Sequence, residues 1–167
     1  LDARFVTGTE APGERLDALA GRARIPEVAR ALLGRVQRPP VAWCADGILE
    51  PDATRADTLD ANARVVVPIQ GLARVAALVA RAGARQTPER LHAAATAGIL
   101  DPALAADLAS AHEWAAGWAM RRERLGGGPD GAAGSDDRAL LRDCFDVVRA
   151  GLEAVRAAIA GEDAWTR

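Results

Sequence analysis

The sequence predicts a mainly α-helical protein, an antiparallel four-helix bundle preceded by a small N-terminal hairpin or short strands. Three observations carry that expectation. After Pro68 the chain is a succession of segments whose apolar residues recur at i, i+3 and i+4, the period of a helix with one buried face. Helix start signals precede those segments, with proline or aspartate placed where a first turn needs them. The connections between them are short apart from one glycine-rich run at residues 126–134, and short connections join antiparallel neighbours.

The elements follow in order. Residues 1–6 alternate apolar and polar side chains as a half-buried strand does, and the run from Gly8 to Gly13 breaks the pattern. Residues 14–22 and 26–36 read as helices, the second with Pro26 in its first turn and Val28, Leu32, Leu33 and Val36 on one face. Residues 41–44 and 64–67 are short apolar runs separated by a polar loop, which predicts a two-stranded hairpin between them. A helix opening at Pro68 carries Ile69, Leu72, Val75, Ala76 and Val79 inward, with Gly83 as its stop. Thr87 as N-cap and Pro88 at the first helical position open the next helix, whose face continues through Leu91, Ala94, Ala95 and Ile99. Asp101 and Pro102 repeat that signal for a helix of about 24 residues, roughly 36 Å long. Ser135 or Asp136 caps the last helix, whose stripe of Leu141, Cys144, Phe145, Val148, Leu152, Val155 and Ile159 is the cleanest in the chain.

Composition narrows the classes of function. Half of the 167 residues are apolar and 26% are charged, the balance of a globular domain with a core to bury. All 21 basic residues are arginine, yet the net charge is -2, so no whole-chain attraction to nucleic acid or to an anionic membrane is expected. Aromatic residues are 4% and tyrosine is absent, which argues against a base-stacking platform. No uninterrupted apolar run reaches the length of a membrane span, and no secretory signal opens the chain, so a cytoplasmic protein is expected. Cys44 and Cys144 sit in apolar surroundings, as free buried thiols do. The chain begins mid-pattern at Leu1 and reads as a piece of a longer protein.

Candidate chemistry is sparse. Gly134-Ser135-Asp136-Asp137 has the look of a turn that presents carboxylates to metal. It stands before a helix with no following Asp-x-Asp strand, and reads as a cap with acidic residues at the positive end of the dipole. His112-Glu113 lacks the second histidine of a zinc helix because Ala116 stands there, and His92 is the other imidazole of the chain. Asp46, Asp52, Asp57 and Asp60 do not match a calcium loop and read as a solvated stretch. Arginine remains, since its planar fork binds phosphate or carboxylate through paired hydrogen bonds. Arg74 interrupts an apolar helix, Arg90 stands in the first turn of the next, and Arg121 falls near the end of the long helix. No catalytic residue, metal ligand or cofactor site is expected in this chain.

Residues 65–91 carry Pro68-Ile69, Gly71-Leu72-Ala73-Arg74 and Thr87-x-Glu89-Arg90-Leu91, in an order that resembles the putative nucleotidyltransferase substrate-binding domain family. Arg38-Pro39-Pro40-Val41 with Trp43, Thr58-Leu59-Asp60, Ala111-His112-Glu113-Trp114 and Leu140-Leu141-Arg142 extend the likeness. The resemblance implies a helical domain that follows a nucleotidyltransferase-like domain in bacterial proteins, often with CBS or cyclic-nucleotide-binding modules further upstream. It implies that residues 1–23 are the tail of that upstream domain and residues 24–167 the helical substrate-binding domain. On it, Arg74, Arg90 and Arg121 become candidate substrate-binding residues, while a divalent metal and a nucleoside triphosphate belong to the parent's upstream domain. The alternative is a helical interaction or dimerisation module of a signalling protein, with a homodimer left open.

Overall fold

The computed structural model describes residues 25–36, 42–44, 47–49, 55–56, 60–124 and 135–161. The strand expected at residues 1–6, the helix at 14–22, the connection at 126–134 and the aspartates at 46, 52 and 57 lie outside them. The protein is mainly helical. Helix α1 is Ile25–Gly34. Three short backbone segments follow, β1 (Ala42–Cys44), β2 (Gly47–Leu49) and β3 (Arg55–Ala56). Then come a widened turn at Asn62–Val66 and helices α2 (Val67–Val79), α3 (Thr87–Thr96), α4 (Pro102–Arg124) and α5 (Ser135–Ala160).

The pairing expected between residues 41–44 and 64–67 is corrected. The backbone of β1 pairs antiparallel with β2, Trp43 opposite Ile48, and β2 pairs with β3, Ile48 opposite Ala56. Residues 64–67 are helical because Asp60 starts a helix seven residues earlier than the proline suggests. Its Oδ1 accepts from Ala63 N at 3.1 Å, and Arg64 N donates to Asp60 O at 2.9 Å. Asp60 is therefore an exposed cap at the start of the helix. Pro68 sits within the helical path, where it lacks an N–H and its ring would press on the carbonyl of Arg64. The chain accommodates it with a turn of i to i+5 bonds, Val67 N donating to Asn62 O, so that Pro68 falls in the first turn of α2.

Helix α2 is the centre of the fold. Pro68, Ile69, Leu72, Ala73, Val75, Ala76, Ala77 and Val79 are all buried, and a helix apolar on most of its circumference needs neighbours on most sides. It packs on α1, α3 and α5, while α4 meets the widened turn, α3 and α5. The mainly helical class is as expected, with five helices among the described residues, while the antiparallel four-helix bundle is not confirmed. The core runs from Ala29 and Leu33 of α1 through α2 to Leu108, Phe145, Val148 and Val155. Residues 62–79 are long and apolar enough for a membrane span by composition, and 56% of that stretch is buried against the other helices.

Two helix ends share one geometry. After α2, Arg81 N donates to Leu78 O and Ala82 N to Ala77 O, with Arg81 at a φ of 53°. After α3, Gly98 N donates to Ala95 O and Ile99 N to Ala94 O, with Gly98 at a φ of 72°. Both are Schellman motifs. The stop for α2 is therefore Arg81 and not Gly83, and an arginine stands where glycine is the residue without strain. The start of α3 also shifts by one residue. Gln86 is the N-cap, in extended conformation, and the Glu89 carboxylate accepts from Gln86 N at 3.3 Å. Asp101 caps α4 as predicted, its Oδ1 accepting from Ala103 N at 2.8 Å.

Candidate functional site

The three arginines singled out by sequence stand in different settings. Arg74 is exposed on α2 and Arg121 is exposed on α4. Arg90 is 8% exposed, and its Nε donates to Ala84 O at 3.0 Å. That bond ties the first turn of α3 to the connection that follows α2, so the guanidinium satisfies a half-buried backbone carbonyl. Arg121 folds back along its helix, with Nη1 3.4 Å from where a Cβ on Gly117 would stand.

The polar pair that sequence reading missed is Gln70 with His112. Their Nε2 atoms lie 3.3 Å apart in a half-buried position between α2 and α4. A neutral imidazole with its hydrogen on Nδ1 accepts from the amide at Nε2 in this geometry. Burial pushes the His112 proton affinity below the ordinary imidazole value, and the carboxylate of Glu113 opposes that with a smaller effect. The signal in the sequence was positional. Gln70 stands between buried Ile69 and Leu72 on the core helix, and His112 stands one turn after buried Leu108. The other imidazole, His92, is exposed.

A shallow cleft of about 390 Å³ lies between α3 and α4, lined by Pro88, His92, Ala95, Thr96, Pro102 and Ala105 among others. None of Arg74, Arg90 and Arg121 lines it. Its hydroxyl is engaged locally, since Thr96 Oγ1 donates to His92 O at 3.0 Å. Trp114 and Trp118 stack one turn apart on α4, ring centroids 6.3 Å apart, with Trp118 buried and Trp114 partly so. Among the described residues no group of three or more His, Cys, Asp or Glu side chains is placed to hold a metal ion. Asp136 and Asp137 lie in the first turn of α5. Cys144 is a buried free thiol whose pKa is pushed up to about 11, mainly by burial and further by the neighbouring Asp143.

These features define a helical domain whose polar chemistry is concentrated on arginines and one Gln-His pair. The family model described as "Putative nucleotidyltransferase substrate binding domain" matches residues 27–126, which spans α1 to α4. The chain belongs to that family. No curated protein and no solved structure matches it.

Proposed function

We propose that this chain is the accessory, substrate-binding domain of a nucleotidyltransferase-like protein and transfers no nucleotide by itself. The family match over residues 27–126 carries the reading. The residue chemistry fits it, because phosphoryl transfer needs carboxylates that hold divalent metal, and the described residues offer arginines instead. In this reading the upstream domain supplies metal and nucleoside triphosphate, in a bacterial cytoplasmic protein. The helical domain contributes the second wall of the cleft and receives the acceptor. Arg74 and Arg121, both exposed, are the residues proposed to meet the acceptor, and Arg90 contributes by fixing the start of α3.

The test is label transfer from a nucleoside triphosphate with magnesium or manganese, run on the purified chain and on the full parent protein. The chain alone is expected to incorporate nothing, and the parent to lose transfer when this domain is deleted. Label incorporated by the chain alone, and abolished by a substitution within it, would overturn the proposal.

A further inference from the structure

The cleft between α3 and α4 has Pro88, His92 and Ala95 on one wall and Pro102, Ala106 and Ala109 on the other. Pro88, His92, Pro102 and Ala106 are exposed, so the middle of this face is apolar and open. Only residues 97–101 join the two helices, and so short a connection makes them antiparallel neighbours. Their first turns therefore stand at opposite ends of the cleft. Those ends differ in charge. Arg85 is exposed three residues before Pro88, its backbone N–H held by the Glu89 carboxylate at 3.4 Å. Asp101 is exposed immediately before Pro102, and its carboxylate keeps its charge while capping Ala103 N. The contrast extends along the chain, since residues 61–90 hold five arginines against Glu89, whereas residues 91–120 hold Asp101, Asp107 and Glu113 and no arginine.

We propose that the α3–α4 cleft is the contact face of a homodimer, in which a second copy turned end for end sets Arg85 against Asp101 of the partner subunit. A surface with an apolar middle and opposite charges at its two ends complements itself in that orientation, and an isologous contact forms each such pair twice. The same charges argue for a second copy over other occupants. An acidic partner would meet Asp101, and a basic one Arg85. Nucleic acid is disfavoured because residues 61–109 contain no Phe, Tyr or Trp on which a base could stack. The inference is independent of the substrate-binding reading, which holds for a monomer or a dimer.

Sedimentation equilibrium of the chain at low salt is the experiment. A concentration-dependent equilibrium between monomer and dimer is expected. Arg85→Glu should weaken the dimer about tenfold, because the reversed charge acts at both symmetric contacts. Asp101→Asn keeps a capping oxygen but loses the charge, and should weaken it several-fold. Ala106→Trp, which fills the exposed cleft, should leave the chain monomeric with its helical circular dichroism unchanged. A chain that stays monomeric at about 1 mM overturns the proposal. So does a dimer of undiminished affinity in either Arg85→Glu or Ala106→Trp, which places the contact elsewhere. A monomer whose His92 ring resonances shift when the parent's upstream domain is added would give this face to that domain, and would overturn the homodimer as well.

Discussion

Gly151 of α5 lies so close to Leu72 of α2 that a Cβ at residue 151 would stand 2.9 Å from Leu72 Cδ1 and 3.0 Å from Leu108 Cδ1. One bare glycine thus lets the last helix settle onto both the central helix and α4. Both leucines are fully buried, so they have little room to yield.

Gly151→Val is accordingly expected to destabilise the protein by about 2 kcal/mol or more through overpacking, although valine has the higher helix propensity. Gly117→Ala is the control. The neighbour there is the tip of the exposed Arg121 side chain, so the propensity gain of about 1 kcal/mol should appear largely intact. Urea unfolding of the two variants should show midpoints moving in opposite directions, and a parallel shift would disprove the packing account.

Arg81 and Gly98 occupy the same place in two Schellman motifs. Arg81→Gly should raise stability by roughly 0.5–1 kcal/mol by relieving a left-handed conformation on an exposed residue. Gly98→Ala should lower it by about 1 kcal/mol, although nothing lies near a Cβ there, because its φ of 72° penalises a side chain. Melting temperatures of both variants decide the matter, and a fall on Arg81→Gly would contradict it.

The pH dependence of stability carries a signature from His112. Its proton affinity is lowered in the fold, so between its folded pKa and the ordinary value near 6.5 the unfolded chain binds more protons. Stability from this group is full above that ordinary value and declines as pH falls through the window. His112→Gln should therefore lose less stability than the unmodified protein on going from pH 7 to pH 5. Equal losses in denaturant titrations at the two values would refute it.

Cys144 offers a chemical probe of the core. With its pKa pushed up to about 11, about one thiol in a thousand is ionised at pH 8, and the residue is 6% exposed. In a Cys44→Ser background, Ellman's reagent should react slowly with the native protein and rapidly in guanidinium chloride. Rapid reaction in both would show that α5 does not bury this residue.

Much of the fold was legible because its signals are local. Asp101 with Pro102 marks the start of α4, and the stripe from Leu141 to Ile159 is buried throughout α5. Pro68 misled because proline normally marks a first turn. Here it does so only after a widened turn that Asp60 initiates, and that geometry leaves no residue pattern of its own. The end of α2 was hidden likewise, since Arg81 adopts a conformation that composition assigns to Gly83. Arg74, Arg90 and Arg121 could be named as candidates from the sequence, but exposure could not. Burial of Arg90 and the Gln70–His112 bond depend on how α2, α3 and α4 meet.

That difference in setting separates the two arginines of the best motifs. Arg90→Lys removes an Nε donor from the half-buried Ala84 O, at a cost of about 1 kcal/mol. Arg74→Lys alters an exposed side chain, where changes of stability stay within about 0.5 kcal/mol. Thermal unfolding should therefore show a lowered midpoint for Arg90→Lys and a nearly unchanged one for Arg74→Lys. Nucleotidyl transfer by the parent protein, measured below the melting temperature of both variants, should instead be more sensitive to Arg74→Lys, with the acceptor KM rising. If Arg74→Lys lowers the midpoint as far as Arg90→Lys and leaves the KM unchanged, Arg74 is a structural residue and its assignment to the acceptor is wrong.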